Sequence, residues 1–248
     1  MPTESPRSAA AHAVLSDDDA YTAGLADFIT ASPTSYHAAA ETAARLNAVG
    51  FSSADETQPW GPGLQRCGYA VRDGAIIAWI LPERCAERAG FRIVGAHTDS
   101  PALKLKPRAA MVRDGIQVLD VEIYGGMMWN SWLDRELAIA GRLITASGRA
   151  VLARTGPIAR IPQLAIHLDR SVNDSLSLDP QRHLHPVWTV DSSAGLLDHI
   201  ARARARLGAD LLVVEAREDD DVPRLGRRPG QALHGDQGGV DRREVVLA

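Results

Sequence analysis

An imidazole and a carboxylate stand two residues apart in Gly95-Ala96-His97-Thr98-Asp99-Ser100-Pro101, directly after the apolar run Phe91 to Val94. On a strand, side chains two apart point to the same side. In an open α/β sheet, ligands collect at the carboxyl ends of the strands. The pair can therefore bind a metal there, the carboxylate holding the ring in one tautomer. The same spacing also suits a strand-end histidine bonded to a neighbour and an aspartate capping the next turn. An H-x-D pattern alone does not separate the two.

The elements that must position this pair lie upstream. Tyr21, Leu25, Phe28 and Ile29 fall at i, i+4, i+7 and i+8, one face of a helix from Asp19 that Ser32-Pro33 ends. A second helix is expected from Ser35 to Val49, with Thr34 or Ser35 as N-cap and Gly50 as its stop. Gln58 to Gly63 reads as a loop, and Gly68–Val71 and Ala75–Leu81 as strands joined at Arg72-Asp73-Gly74. Phe91 to Ala96 is then expected as a buried strand that delivers His97. Helices followed by strands make an α/β layer.

Beyond Pro107 the texture changes to short β-rich runs, Ile116–Tyr124, Leu137–Ile144 and Ala150–Arg154, punctuated by glycines. This predicts a second, mostly β module. Asp191 to Asp210 reads as helix and Leu211 to Val214 as a short strand. From Glu215 onward the acidic and then Arg- and Gly-rich composition predicts disorder.

The 248 residues are 45% hydrophobic and 23% charged, as in an ordinary soluble globular protein. A net charge of −4 gives no reason to expect nucleic acid as a partner. Met1 to Asp19 reads as a flexible leader without the apolar core of a secretory signal, and Ala75 to Leu81 is too short to span a bilayer. Cys67 and Cys85 are expected as buried thiols of a cytoplasmic protein, with a single bridge as the alternative.

Four blocks, in order, resemble the M18 metallopeptidases, the aspartyl aminopeptidase family. They are Ala31-Ser32-Pro33-Thr34-Ser35-Tyr36-His37-Ala38, the segment His97 to Pro107, Val121 to Gly126 with Trp129 to Leu137 and Gly141-Arg142, and Ile161-Pro162-Gln163-Leu164-Ala165-Ile166-His167-Leu168-Asp169-Arg170. The resemblance covers about Asp19 to Trp188. It implies an α/β fold: the N-terminal part of a zinc-aminopeptidase-like catalytic domain, carrying an inserted β-rich oligomerisation domain. The corresponding boundaries are a leader to residue 18, the catalytic part over 19–107, the β-rich domain over 108–190 and a divergent tail over 191–248.

The implied activity is release of N-terminal Asp or Glu from peptides by a cytoplasmic homo-oligomer with two Zn2+ per active site. Other divalent metals also suit mixed histidine and carboxylate sites. By resemblance, His97 is a metal ligand and Asp99 orients it. His167 reaches the active site of a partner subunit and stabilises charge on the substrate carbonyl. Pattern alone also allows His167 to be a strand histidine. The family's later ligands, an Arg-Leu-Asp-Asn block, a Glu-Glu pair, an aspartate and a final histidine, find no match here. The alternative expectation is thus a truncated or frameshifted, inactive fragment that keeps the oligomerisation module.

Three further features have open readings. His183 and His185 form an H-x-H pair that suits either a metal or packing. Lys104 and Lys106 suit an acidic substrate end or plain solvated charge. Trp129, Trp132 and Trp188 suit packing or subunit contacts.

Overall fold

The computed structural model describes residues 18–61, 63–83, 90–145, 147–191, 193–206 and 245–247. The chain divides into two compact units, Met1–Ser100 and Pro101–Ala248.

In the first unit, helices α1 (Asp18–Ala31) and α2 (Ser35–Ala48) precede a three-stranded sheet in the order β1 (Ser52–Ser53), β2 (Cys67–Arg72), β3 (Ala75–Ile80). Thr34 starts α2 as the sequence predicts, its hydroxyl accepting from the His37 backbone N–H at 3.3 Å. The hairpin also forms where Asp-Gly is written. Asp73 takes φ 52°, a conformation that aspartate tolerates better than most residues, and β2 and β3 pair from Cys67↔Ile80 to Arg72↔Ala75. Gly74 must be small, because a Cβ there would lie 2.8 Å from Ser35 Cβ at the start of α2. Cys67 is half-buried with a free thiol; Cys85 lies outside the described residues.

The expected buried strand over Phe91 to Ala96 does not form. The segment has no regular structure, and Phe91, Ile93 and Val94 are 94%, 85% and 98% exposed. A strand needs lateral partners for its backbone and cover for its side chains. Among the described residues none pairs with this run. Its apolar composition is right for a central strand, but composition cannot supply the neighbours.

The second unit is a closed antiparallel barrel in the order β4-β5-β8-β7-β6-β9. Its strands are β4 (Ala102–Arg113), β5 (Ile116–Tyr124), β6 (Glu136–Ile144), β7 (Ala150–Arg160), β8 (Val187–Thr189) and β9 (Val245–Leu247). The β-rich reading of this region therefore holds, with longer strands than the sequence suggests. β4 runs through Pro107 because the register with β5 shifts between Leu105 and Ala110, where a ladder hydrogen bond is dispensable. β7 runs through Gly156-Pro157 beside equivalent shifts against β6. A short 3-10 turn over Trp129–Trp132, a helical turn α3 (Pro180–His183) and helix α4 (Leu196–Arg206) complete it.

The barrel is filled by Leu103, Leu119, Val121, Leu137, Ile139 and Ile161, with Leu184 beside them. α4 adds Leu196 and Ile200, four residues apart and both buried, so this helix past the end of the family resemblance belongs to the core. Trp129, Trp132 and Trp188 pack partly buried against the same cluster. The strand read over Leu211 to Val214 and the disorder read from Glu215 fall on residues 207–244, outside the described ones. Val245–Leu247 form β9, pairing with both β4 and β6. No described helix is long and apolar enough to cross a membrane.

Candidate functional site

His97 and Asp99 lie on the exposed segment that follows the uncovered apolar run. His97 Nδ1 is 2.6 Å from the backbone carbonyl of Asp99 and 3.7 Å from its carboxylate Oδ1. A carbonyl only accepts, so Nδ1 carries the proton and the lone pair of the neutral ring sits on Nε2. That is the tautomer a metal ligand needs. Asp99 meets the ring mainly through its backbone carbonyl, which accepts the hydrogen bond, with the carboxylate expected to orient it standing farther off at 3.7 Å.

Thr98 fastens this segment. Its hydroxyl donates to the Gly74 carbonyl at 2.6 Å, tying the residue between His97 and Asp99 to the β2–β3 turn. This positioning bond joins residues 24 apart, and no spacing rule announces it. Thr98→Val removes the donor and leaves the carbonyl to water. The expected cost is about 1 kcal/mol, read as a lower melting temperature and faster amide exchange over 95–100.

His167 does not sit on a strand. It is exposed, in a turn closed by the Leu168 N–H on the Ala165 carbonyl at 2.8 Å. The loop that carries it leaves the barrel at Ile161, which is buried and bridged to Leu133. Asp134, in the left-handed region at φ 56°, receives the Gln163 N–H on Oδ1 at 3.4 Å and donates its own N–H to Ile161 O at 2.8 Å. Asp134 thus fixes the root of the loop.

The remaining candidates are spent on structure. Lys106 reaches Asp120 at 2.8 Å, Glu122 at 3.3 Å and Gln181 at 2.9 Å, and the bond to Asp120 holds its ammonium above the usual lysine range. Lys104 stands over the Tyr124 ring, 4.0 Å from its centroid. His183 accepts the Asp179 N–H on Nδ1 at 2.9 Å. His185 is buried, its Nε2 at 3.4 Å from Asp120 but without hydrogen-bond geometry at either ring nitrogen. The H-x-H pair therefore gathers no third ligand. Among the described residues no group of three or more His, Cys, Asp or Glu can hold a metal ion. The residues present fit one ligand with its tautomer set, and no catalytic step through a metal follows from them alone.

Burial, and then the Arg113 guanidinium, push the His185 imidazole below its ordinary value of 6.5, while Asp120 pulls the other way and Lys106 adds to the depression. A group depressed in the folded state stabilises that state above its unfolded value and loses the contribution as pH falls through it. The barrel is expected to lose melting temperature on going from pH 7 to pH 5, and less so in His185→Gln. Equal acid sensitivity in both proteins counts against this assignment.

The family model described as Aminopeptidase I zinc metalloprotease (M18) matches residues 28–207. A protein of Streptomyces coelicolor named Probable M18 family aminopeptidase 2 is 49% identical over 186 residues, covering 74% of this chain and 43% of its own length. A Mycobacterium leprae protein of the same name is 41% identical over 211 residues, covering 82% and 49% respectively. The chain thus spans just under half the length of these relatives. Among solved structures, the cryo-EM structure of the Ape4 and Nbr1 complex matches with a TM-score of 0.70 at 27% identity, over 89% of this chain and 42% of that one. Crystalline prApe1 shares the fold, with a TM-score of 0.68 at 23% identity over 89% of this chain and 46% of its own.

Proposed function

We propose that this chain, which belongs to the M18 family of zinc aminopeptidases, contributes His97 as one metal ligand of a centre that releases N-terminal Asp or Glu from peptides. The observation that carries the reading is the bond from His97 Nδ1 to the Asp99 carbonyl, which leaves Nε2 free to ligate. Zinc at such a centre polarises the scissile carbonyl and lowers the pKa of the attacking water. The role of this chain's residues is to present the imidazole in one tautomer and to hold the segment through Thr98. Further ligands come from outside the described residues.

In the same reading the β-rich module assembles homo-oligomers and His167 acts on the substrate carbonyl of a partner subunit. Its exposed turn, rooted by Asp134, suits that task. Mixing His97→Ala with His167→Ala chains, each inactive, is then expected to restore hydrolysis, because one subunit type supplies the ligand and the other the loop. No recovery in mixed oligomers would place His167 in its own subunit's site or outside catalysis.

A second reading is favoured by two observations together: the ligand set incomplete among the described residues and the exposed run Phe91 to Val94. In it the chain is a truncated or frameshifted fragment, inactive and retaining the oligomerisation module. Hydrolysis of Asp-, Glu- and Leu-4-nitroanilide by the purified chain, with zinc and with chelator, separates the two. The first reading expects Asp and Glu to exceed Leu by at least about tenfold and chelator to stop all three. The second expects no hydrolysis from a chain that still elutes as multimers. Chelator-insensitive activity, or a preference for Leu, contradicts the first.

A further inference from the structure

A cavity of about 410 Å³ opens at one end of the barrel, between the β4–β5 turn, β8 and the loop of residues 162–178. Its size is in the range that takes a small ligand. Val118, Leu133, Leu178 and Val187 supply an apolar wall, and Arg113, Arg182, His183 and His185 supply its basic groups. Three features of it have no use in the reading above.

The first is His185. Its side chain is only 6% exposed, yet neither ring nitrogen has a hydrogen-bond partner. A buried imidazole left so costs free energy unless something meets it. The nearby carboxylate of Asp120 is engaged by Lys106. The second is the arginine pair. Arg113 Nη1 donates to the Arg182 backbone carbonyl at 3.4 Å, which sets the two residues side by side. Among the described residues neither guanidinium is ion-paired with a carboxylate. The third is the rest of the rim. Asp114 and Asp169 also line the cavity, and Asp169 already accepts from the Ser171 hydroxyl at 2.9 Å. Acidic groups there disfavour a polyanion and leave room for a single carboxylate.

We infer that this cavity binds the C-terminal end of a short apolar peptide, its carboxylate on Arg113 and Arg182 and its side chains on the apolar wall beside His185. A guanidinium matches a carboxylate in charge and geometry, and two of them line this cavity. An apolar residue or two behind the carboxylate fills the volume. His97 belongs to the first unit and is not among the residues that line this cavity, and the test is independent of hydrolysis.

The test is titration of the full chain with N-acetyl-Leu-Leu and with N-acetyl-Leu-Leu-amide, followed by calorimetry and by methyl NMR. The acetyl group removes the free amine that an aminopeptidase centre requires, so failure of the catalytic reading does not touch the result. The free acid is expected to bind at least about tenfold more tightly than the amide, moving the methyl signals of Leu133 and Val187. Arg182→Ala, an exposed position, is expected to bring the acid down to the affinity of the amide. Equal binding of acid and amide, or binding of neither, overturns the proposal. So does movement of those methyl signals with chain concentration alone, which would mean that a second copy fills the cavity.

Discussion

His97→Ala is expected to lower hydrolysis of aspartyl peptides by about a thousandfold or more, and to leave the melting temperature nearly unchanged. A Lewis-acid metal contributes several kcal/mol to stabilising the transition state. At 1.36 kcal/mol per tenfold, loss of about 4 kcal/mol is a factor of about 10³. The ring is exposed and its one hydrogen bond is local, so folding has little to lose. Asp99→Asn behaves differently. Loss of the group that orients a metal-ligating histidine ordinarily costs about 10- to 100-fold, but here the acceptor is the Asp99 main chain, which the substitution keeps. The expected loss is near the lower end, about tenfold. Steady-state rates for the two variants, with circular dichroism melts alongside, check both. An Asp99→Asn enzyme as impaired as His97→Ala would mean that the carboxylate, not the carbonyl, does the work.

The second large effect concerns self-association. Phe91, Ile93 and Val94 are almost wholly exposed, and among the described residues no strand pairs with them. An extended apolar run with free backbone groups is a template for pairing with another copy. The isolated chain is therefore expected to aggregate through this segment, beyond any defined oligomer built by the barrel. Ile93→Lys places a charge in the middle of the run and is expected to raise the soluble yield several-fold and narrow the size distribution in light scattering. Ile93 is 85% exposed, so the substitution is expected to cost little stability. A wild-type chain that is monodisperse and melts sharply, with Ile93→Lys making no difference, contradicts the account of this segment.

What was readable beforehand follows from how local each signal is. Thr34 as N-cap and Asp73-Gly74 as a hairpin depend on a few adjacent residues, and both formed as written. The β texture beyond Pro107 was readable for the same reason. The lengths of β4 and β7 were not, because Pro107 and Gly156-Pro157 argue against a strand. Only the bulges in β4 and β7 themselves, where extra residues loop out of the pairing with β5 and β6, make room for them. Phe91 to Ala96 failed for the converse reason: the apolar run looks like a central strand, but a strand is a property of its neighbours as much as of itself.

The candidate site divides the same way. His97, Asp99 and His167 stand out through their motifs, and in the structure the imidazole of the H-x-D pair meets residue 99 at its carbonyl. Thr98 and Asp134, which hold the two segments in place, act through contacts 24 and 29 residues away in sequence. His185 carries no sign in its own surroundings that it is buried. Its H-x-H partner, His183, is exposed and engaged elsewhere.

The most direct test of the central claim is the zinc content of the purified chain, measured by mass spectrometry of the metal, in wild type and in His97→Ala. The account predicts zinc retained by the wild-type chain after dialysis and lost from the variant, with both proteins equally folded. Equal zinc in the two, or none in either, would contradict His97 as a metal ligand of this chain.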